Sequence, residues 1–310
     1  MRRIRHSIAA TLLTVTVATA TALAIASAPA VACGGLVGEN GTIRLTRTST
    51  LAAHHDGVER YVTSFEFAGE GEEVGSIIPL PGVPSKVERG GDWTLQRLAR
   101  EVQPPVPSPA ALSAAGTTAD KADVLLETKI DALDITILRG GGNAVGRWAL
   151  DHGFLLTPDT PAILDHYSRR SKVFMAARFD ASRAKSLGQT TGDGTPIMLT
   201  IPTDEPWVPL RILTLGLDKT DVVNADVFLL TDEPPLLHGA GSGVKVARSE
   251  PASHELLRDL RSDKGMAWVP DDMWFTYLQV DTPARALRGD LSVASSSALP
   301  NWALDALRGV

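Results

Sequence analysis

The sequence predicts a protein of the α+β class, with antiparallel or mixed sheets and a few short flanking helices. Some segments alternate apolar and polar residues as strands do, and others repeat apolar residues with the period of a helix. Their order along the chain is neither a regular βαβ alternation nor all-β. Apolar residues make up 44% of the chain, and one cysteine is present, which cannot form an intrachain disulfide. We therefore expect the fold to depend on a hydrophobic core, in one large domain or two smaller ones.

The first predicted element is a β-hairpin. Two strand-like runs, 43–51 and 58–67, surround Asp56-Gly57, a dipeptide that tolerates the positive φ angles of a tight turn. Tyr61, Thr63, Phe65 and Phe67 fall on one face of the second run. The segment 76–81 continues in extended form, and its two prolines predict a sheet edge or a polyproline-like stretch.

A helix and a linker follow. Asp92 is the expected N-cap, and the prolines at 104 and 105 end the helix; its apolar face is formed by Leu95, Leu98, Ala99 and Val102. Residues 103–120 are rich in Pro, Ala and Ser and predict an exposed linker. This linker divides the mature chain into possible sub-halves, 33–102 and 121–310.

The remainder of the chain mixes both kinds of element. Asn143 is expected to cap a helix that Gly153 ends, Thr160-Pro161 to begin another, and Leu256, Leu257 and Leu260 to mark the last. Strands are predicted at 124–130, 135–138, 173–179, 197–201, 208–215, 227–230 and 274–280.

Residues 1–32 have the features of a secretion signal peptide. Three arginines precede an apolar run over 8–28, and Ala30-Val31-Ala32 provides the small residues of a cleavage site. The run is also long enough to serve as an uncleaved anchor. Cleavage would remove three of the 30 basic residues and none of the 36 acidic ones, leaving a net charge of −9. An acidic extracytoplasmic protein is expected, and nucleic acid is not an expected partner.

Several segments together resemble a family of secreted bacterial proteins of unknown function. They are ACGGLVG after the leader, PLPGVPSKVE leading into DWTLQRL, then RWALDHGF, VFMAARFD, VPLRILTLG and ADVFLLTD. The resemblance implies a bacterial, extracytoplasmic protein with no assigned activity, and it supplies no catalytic residue. A second cysteine and a C-terminal membrane helix, which some members of the family carry, are not expected here.

Cys33 has three interpretations. It is a candidate lipidation site, because small residues precede it and Gly34 follows, although Ala30 occupies the position where a lipoprotein signal has an aliphatic residue. After cleavage it would be the N-terminal residue, and its thiol and α-amino group could act together as a hydrolase nucleophile. It can also be a plain thiol, free or paired with another molecule.

The other polar motifs are each better explained by structure than by chemistry. Adjacent residues of His54-His55-Asp56 point to opposite faces of a strand, His152 shares an apolar helix face, and neither Asp165-His166 nor His254-Glu255 completes a metal motif. The glycine-rich stretch 139–146 lacks the spacing of a phosphate loop. Neither a metal site nor a cofactor is therefore predicted.

Function is predicted in broad terms only. Trp207, Trp268 and Trp274 lie near prolines and can line a groove for a peptide or glycan, or cover sheet edges. We expect a non-enzymatic binding or envelope-associated domain, secreted or held at the membrane through Cys33, with an unknown protein, peptide or glycan partner. The alternative is a hydrolase that uses Cys33 as an N-terminal nucleophile.

Overall fold

The computed structural model describes residues 35–38, 48–65, 73–102, 122–154, 156–189, 195–239, 241 and 243–295. The leader 1–32, Cys33 and the linker 103–120 lie outside these residues. The α+β class is confirmed.

The strands are β1 (Gly35–Gly38), β2 (Thr48–His55), β3 (Val58–Phe65), β4 (Glu73–Leu80), β5 (Lys86–Arg89), β6 (Asp123–Ile130), β7 (Leu133–Arg139), β8 (Val173–Asp180), β9 (Thr195–Pro202), β10 (Trp207–Val208), β11 (Val222–Thr231), β12 (Pro235–His238), β13 (Val244–Pro251), β14 (Trp274–Pro283) and β15 (Leu291–Ser295).

The described helices are short. The α-helices are α1 (Thr94–Val102), α2 (Gly142–Asp151), α3 (Thr160–Ser168), α4 (Ala181–Ser186) and α5 (His254–Ser262). Two 3₁₀ turns, Arg211–Thr214 and Ala284–Ala286, add to them. Within the described ranges, no helix has both the length and the apolar character that crossing a membrane requires.

Two large sheets organise the chain. The seven-stranded sheet has the order β13-β14-β11-β2-β3-β9-β5, in which β2 and β11 are parallel and all other neighbours are antiparallel. The five-stranded sheet, β1-β4-β8-β7-β6, is antiparallel throughout. A small third sheet has the order β10-β15-β12.

The sheets and helices form four layers. The inner faces of the two large sheets share one apolar core, to which Ile135 and Met175 contribute from one sheet and Leu199 and Val227 from the other. On the outer face of the five-stranded sheet, α2 and α3 close a second core. On the outer face of the seven-stranded sheet, α1 and α5 close a third. Each sheet is thus covered on both faces, which explains the short amphipathic helices.

The predicted hairpin is present between β2 and β3. Asp56 and Gly57 have φ angles of 51° and 68°, as a two-residue turn between twisted strands requires. The strands are short of the predicted limits because 43–47, 66 and 67 lie outside the described residues.

Strands from both predicted sub-halves enter both large sheets. In the seven-stranded sheet, β2, β3 and β5 precede residue 103, whereas the other four strands follow residue 120. In the five-stranded sheet, β1 and β4 precede the linker, and the pair β4–β8 joins residues on its two sides. The described parts of 33–102 and 121–310 therefore share hydrogen-bonded sheets and one core.

Three sequence predictions need correction. The segment 208–215 is not one strand, because β10 ends at Val208 and a 3₁₀ turn follows at Arg211–Thr214. The segment 76–81 is at a sheet edge only beyond residue 77, because β1 pairs with residues 74–77; at Pro79 the predicted edge is present. Short or polar strands without clear alternation were missed, namely β1, β5, β12, β13 and β15.

Two predicted helix caps are also wrong. The N-terminus of α1 is capped by a distant residue: the Asp263 carboxylate accepts hydrogen bonds from the backbone N–H groups of Asp92 and Trp93 at 3.1 Å and from the Thr94 hydroxyl at 2.7 Å. Asn143 lies inside the first turn of α2, for which Gly141 is the N-cap. The sequence signal placed each helix correctly but could not show which residue completes its end.

Candidate functional site

A cavity of about 280 Å³ opens on the outer face of the five-stranded sheet, where α2 ends. We call it the Trp148 pocket, and eleven residues of β6, β7, β8 and the end of α2 line it: Glu127, Thr128, Lys129, Asp134, Ile135, Thr136, Trp148, His152, Phe154, Ala176 and Arg178. Its volume is close to the lower end of the range for small-molecule sites, about 300 Å³.

The floor of the pocket is formed by two cross-strand rows. Strand register places Lys129 opposite Asp134 and Asp134 opposite Arg178, which makes one charged row. The next row contains Thr136 and Ala176. Because side chains opposite one another share a face of the sheet, both rows point away from the inner core. Small side chains in the second row leave room above the sheet.

The wall of the pocket is set by the way α2 ends. After Asp151 the chain reverses at Gly153, whose φ of 80° is readily adopted by glycine. This turn places Phe154 on the sheet, where its ring packs against Gly75 of β4. A Cβ atom at Gly75 would overlap that ring. The absence of a side chain at Gly75 therefore determines where the aromatic wall stands.

Trp148 and His152 form the buried end of the wall. Their rings stack with centroids 3.8 Å apart, and the two residues are only 4% and 8% exposed. His152 Nδ1 donates a hydrogen bond to the Trp148 carbonyl oxygen at 2.5 Å. Because a carbonyl only accepts, Nδ1 carries a proton, and in the neutral imidazole Nε2 is then the acceptor. The predicted hydrogen-bonded core histidine is confirmed.

Two polar atoms of this wall lack partners. Among the described residues, neither Trp148 Nε1 nor His152 Nε2 has a hydrogen-bond partner. Buried polar groups in native proteins are nearly always hydrogen-bonded to protein, water or ligand. One donor and one acceptor therefore lie unsatisfied within the wall of the cavity, and both atoms are buried rather than exposed to it.

Charged groups surround the opposite side of the pocket. Asp134 Oδ1 lies 3.4 Å from Lys129 Nζ and 3.1 Å from Arg183 Nη2, and Asp134 Oδ2 lies 3.7 Å from Arg178 Nη2. The Asp134 side chain is 14% exposed, so water screens these contacts only in part. The pocket consequently combines an aromatic wall with a fixed charged row.

A second polar network surrounds Asp290 but leaves no reactive group available. Asp290 accepts a hydrogen bond from the Tyr167 hydroxyl at 2.6 Å, and that hydroxyl accepts one from the Ile212 backbone N–H at 2.8 Å. Burial and the negative charge of Asp290 raise the pKa of Tyr167 well above its usual value. His166 Nε2 lies 3.5 Å from Asp290, and Arg211 Nη1 donates to His166 Nδ1 at 3.0 Å. With both ring nitrogens engaged, this network connects α3 to β15 and the 3₁₀ turn.

Glu59 of β3 is a fully buried carboxyl group between the sheets. Burial raises its pKa to about 8, and the Trp207 backbone amide and the charge of Arg170 offset part of this shift. The Trp207 amide lies near the carboxyl without reaching hydrogen-bond geometry. Glu59 is therefore protonated at neutral pH.

The hairpin tip brings together three groups that could hold a metal ion. Ligand atoms of His55, Asp56 and Asp232 lie within 4.8 Å of one another. His55 Nδ1 lies 2.6 Å from Asp232 and Nε2 lies 3.3 Å from Asp56, so each carboxylate faces a different ring nitrogen. His54 instead contacts the Thr203 carbonyl oxygen through Nε2 at 2.9 Å. The two histidines diverge as predicted, and both carboxylates are exposed, as solvated acidic groups commonly are.

The glycine-rich stretch 139–146 has a packing role. A Cβ atom at Gly142 would lie 2.5 Å from the backbone nitrogen of Asp165, so this glycine permits α2 to approach α3 closely. Two of the three tryptophans of the predicted groove, Trp207 and Trp268, lie in different cores. Trp207 is in the core under α2 and α3, where it stacks on Tyr167, whereas Trp268 packs against the core under α1 and α5.

The pocket residues were largely missed from the sequence. Only His152 was singled out, as a member of an apolar helix face. Lys129, Asp134 and Arg178 come from three strands and meet only through the sheet register. Polar residues at every second position of β6 and β7 were the available signal, since that pattern predicts a polar outer face.

The comparisons with known proteins identify a family and distant structural likenesses. The crystal structure of baculovirus P35 matches with a TM-score of 0.45 and 10% identity, over 80% of this chain and 96% of that chain. A mutated baculovirus P35 after caspase cleavage matches with a TM-score of 0.44 and 8% identity, over 82% of this chain and 98% of that chain. The crystal structure of the caspase-8/P35 complex matches with a TM-score of 0.41 and 10% identity, over 80% of this chain and 95% of that chain. Similarity at this level does not identify a shared activity.

No curated protein matches the sequence. The model of one family, described as an uncharacterised protein conserved in bacteria (DUF2330), matches residues 27–231, about two thirds of the chain. That interval contains all the strands of the five-stranded sheet and every residue of the Trp148 pocket. The chain belongs to this family of uncharacterised bacterial proteins.

Proposed function

We propose that the protein is a non-enzymatic, extracytoplasmic binding domain that holds a small ligand in the Trp148 pocket. The observation that carries the proposal is the cavity of about 280 Å³, in which the aromatic wall of Trp148, His152 and Phe154 meets the charged row. An apolar pocket with a few convergent polar groups is the usual form of a ligand site. A cavity of about 150 Å³ accommodates a benzene ring, so the 280 Å³ here have room for a ring with a short polar arm.

Ligand binding is tested with phenylacetamide, an uncharged aromatic probe that has both a donor and an acceptor. At about −0.3 kcal/mol for each of its roughly ten heavy atoms, it should bind with a millimolar Kd, within the range of an NMR titration. Thr136→Trp fills the pocket from its floor and should abolish the titration. Thr220→Trp, at an exposed turn position outside the lining, should leave it unchanged. Equal titrations in both variants would refute binding at this site.

The extracytoplasmic location is supported by the leader features of residues 1–32. We infer that cleavage after Ala32 leaves Cys33 as the first mature residue. The intact mass of the protein from its native host, with membrane and soluble fractions kept separate, tests this inference. A mass that begins at Cys33 with an added diacylglyceryl group in the membrane fraction would identify a lipoprotein, and an unmodified soluble one a secreted protein. A cytoplasmic protein that retains residues 1–32 would contradict the inference.

A further inference from the structure

A row of three side chains crosses the small third sheet, away from the Trp148 pocket. The register pairs Trp207 of β10 and His238 of β12 with the same residue of β15, Ser292. Residues that are paired across antiparallel strands share a face of the sheet, with Cβ atoms about 5 Å apart. Trp207 is buried, Ser292 is half-buried and His238 is exposed, so the row runs from the core to the surface.

Arg170, which follows the end of α3, lies over this row. Its guanidinium carbon is 4.5 Å from the centroid of the Trp207 ring, and Nη2 donates a hydrogen bond to Ser292 Oγ at 2.7 Å. Both partners are uncharged, and together they hold the guanidinium group in place. The Nε and Nη1 groups of Arg170 donate to no residue that the structure describes. An exposed cation is thus fixed in position with donors to spare.

No ionised carboxylate balances the charge of Arg170. Within the described ranges, no acidic side chain lies within ion-pair distance of its guanidinium group. Glu59 is near enough for Arg170 to lower its pKa, but burial keeps that pKa at about 8, so the carboxyl group is neutral at pH 7. Asp290, two residues before Ser292, is buried and accepts three hydrogen bonds, and one imidazole ring connects it to the Arg211 guanidinium. The negative charge of Asp290 is therefore offset within its own network.

The donors around Arg170 match the oxygens of a phosphate group. Arg170 offers free guanidinium N–H groups, the Ser292 hydroxyl keeps its own proton, and the His238 ring forms no hydrogen bond with the part of the chain that the structure describes. Donors from three separate side chains suit the three terminal oxygens of a phosphate group better than the two coplanar oxygens of a carboxylate. A phosphate group also carries a charge of about −1.5 to −2 at pH 7.

We propose that Arg170, Ser292 and His238 form a phosphate-binding site, which we call the Arg170 patch. Arg170 supplies the charge, Ser292 orients the guanidinium group and adds a donor, and His238 adds a donor on the exposed side. The patch shares no residue with the Trp148 pocket, and the inference does not depend on ligand binding there. The phosphate group can come from the free ion or from a monoester of a larger molecule.

NMR titrations with inorganic phosphate, glycerol 1-phosphate and acetate test the ligand class at pH 7 and matched low ionic strength. Inorganic phosphate should bind with a Kd in the millimolar range, about fivefold more tightly than acetate, and should shift the amide signals of Ser292 and His238. An equal Kd for glycerol 1-phosphate would identify a site that accepts monoesters, and a weaker one a site for the free ion. Equal affinities for acetate and phosphate would overturn the phosphate assignment.

Substitutions in the patch locate the binding. Arg170→Gln should raise the Kd of phosphate about tenfold. Arg170→Lys should raise it about threefold, because lysine keeps the charge and loses the planar fork, and Ser292→Ala should also raise it about threefold. Arg169→Gln is the matched control: Arg169 is exposed and adjacent in sequence, but it contacts the Asp165 carboxylate, and its loss should leave the Kd unchanged.

A Kd of phosphate that was the same in the wild type and in Arg170→Gln would place the ion elsewhere and overturn the assignment. Arg170→Lys and Ser292→Ala keep a cationic side chain over Trp207, so the test stands if Arg170→Gln fails to fold. Phenylacetamide should titrate the Trp148 pocket equally in the wild type and in all these variants. Failure of the phosphate site and failure of the proposed function are therefore separate results.

Discussion

Replacing Glu59 by glutamine is expected to remove a loss of stability that the wild-type protein suffers as the pH rises. The pKa of Glu59 is about 8 in the folded protein, against 4.5 for an unperturbed glutamate. Between these values the unfolded chain has released the proton and the folded chain retains it. The free energy of unfolding therefore falls with rising pH, by about 1.4 kcal/mol per pH unit.

The total effect follows from the separation of the two pKa values. Their difference of about 3.5 corresponds to about 5 kcal/mol above pH 8, of which about 3 kcal/mol is already lost at pH 7. Glutamine has the same shape and no ionisation. Glu59→Gln should match the wild type near pH 4.5 and become progressively more stable than it up to pH 8.

Urea unfolding followed by circular dichroism at pH 5, 6, 7 and 8 measures this difference. Glu205→Gln, at an exposed loop position, is the control for loss of one carboxylate and should follow the wild type. If Glu59→Gln and the wild type had the same slope across this range, Glu59 would be ionised in the folded protein and the reasoning would be refuted.

Four further predictions concern helix ends, helix packing, the linker and the cysteine. Asp263→Ala should lower the free energy of unfolding by about 2–4 kcal/mol in urea titrations, because the first turn of α1 loses its remote cap; a loss below about 0.5 kcal/mol would show that water replaces it. Gly142→Ala should cost about 1–3 kcal/mol in the same assay by separating α2 from α3, whereas Gly141→Ala, whose Cβ meets no atom within 4 Å, should cost less. Limited proteolysis within 103–120 should leave a nicked protein that elutes as one species in size-exclusion chromatography, since both pieces share two sheets; separate folded fragments would contradict this. Cys33→Ser should leave stability and phenylacetamide titration unchanged, whereas amidase activity towards p-nitroanilides that disappeared with the thiol would favour the hydrolase alternative.

The sequence predicted those elements that are stabilised by interactions between residues close together in the chain. The hairpin at Asp56-Gly57 follows from two residues that accept positive φ, and α5 follows from the apolar stripe of Leu256, Leu257 and Leu260. The 3₁₀ turn at Arg211–Thr214 was misjudged because a short apolar run has the same composition in a strand. Its conformation depends on contacts with α3 and β15, which are distant in sequence.

The pocket could not have been predicted in the same way. Asp134 and Arg178 are opposite each other only because β7 and β8 pair in one particular register, across an intervening pair of helices. The position of Phe154 depends on a glycine 79 residues earlier in the chain. The position of such a site depends on how strands that are distant in sequence pair with one another. Neither the composition nor the hydrophobic periodicity of the sequence shows that pairing.

The parallel pairing of β2 with β11 has a consequence for the nascent chain. Residues 48–54 must wait for residues 225–231, which at about 5–20 residues per second are synthesised roughly 10 to 35 s later. Until then β2 has no partner on that side, and the seven-stranded sheet cannot be assembled through its middle. Three quarters of the chain must therefore be synthesised before β2 can gain its second neighbour in the seven-stranded sheet.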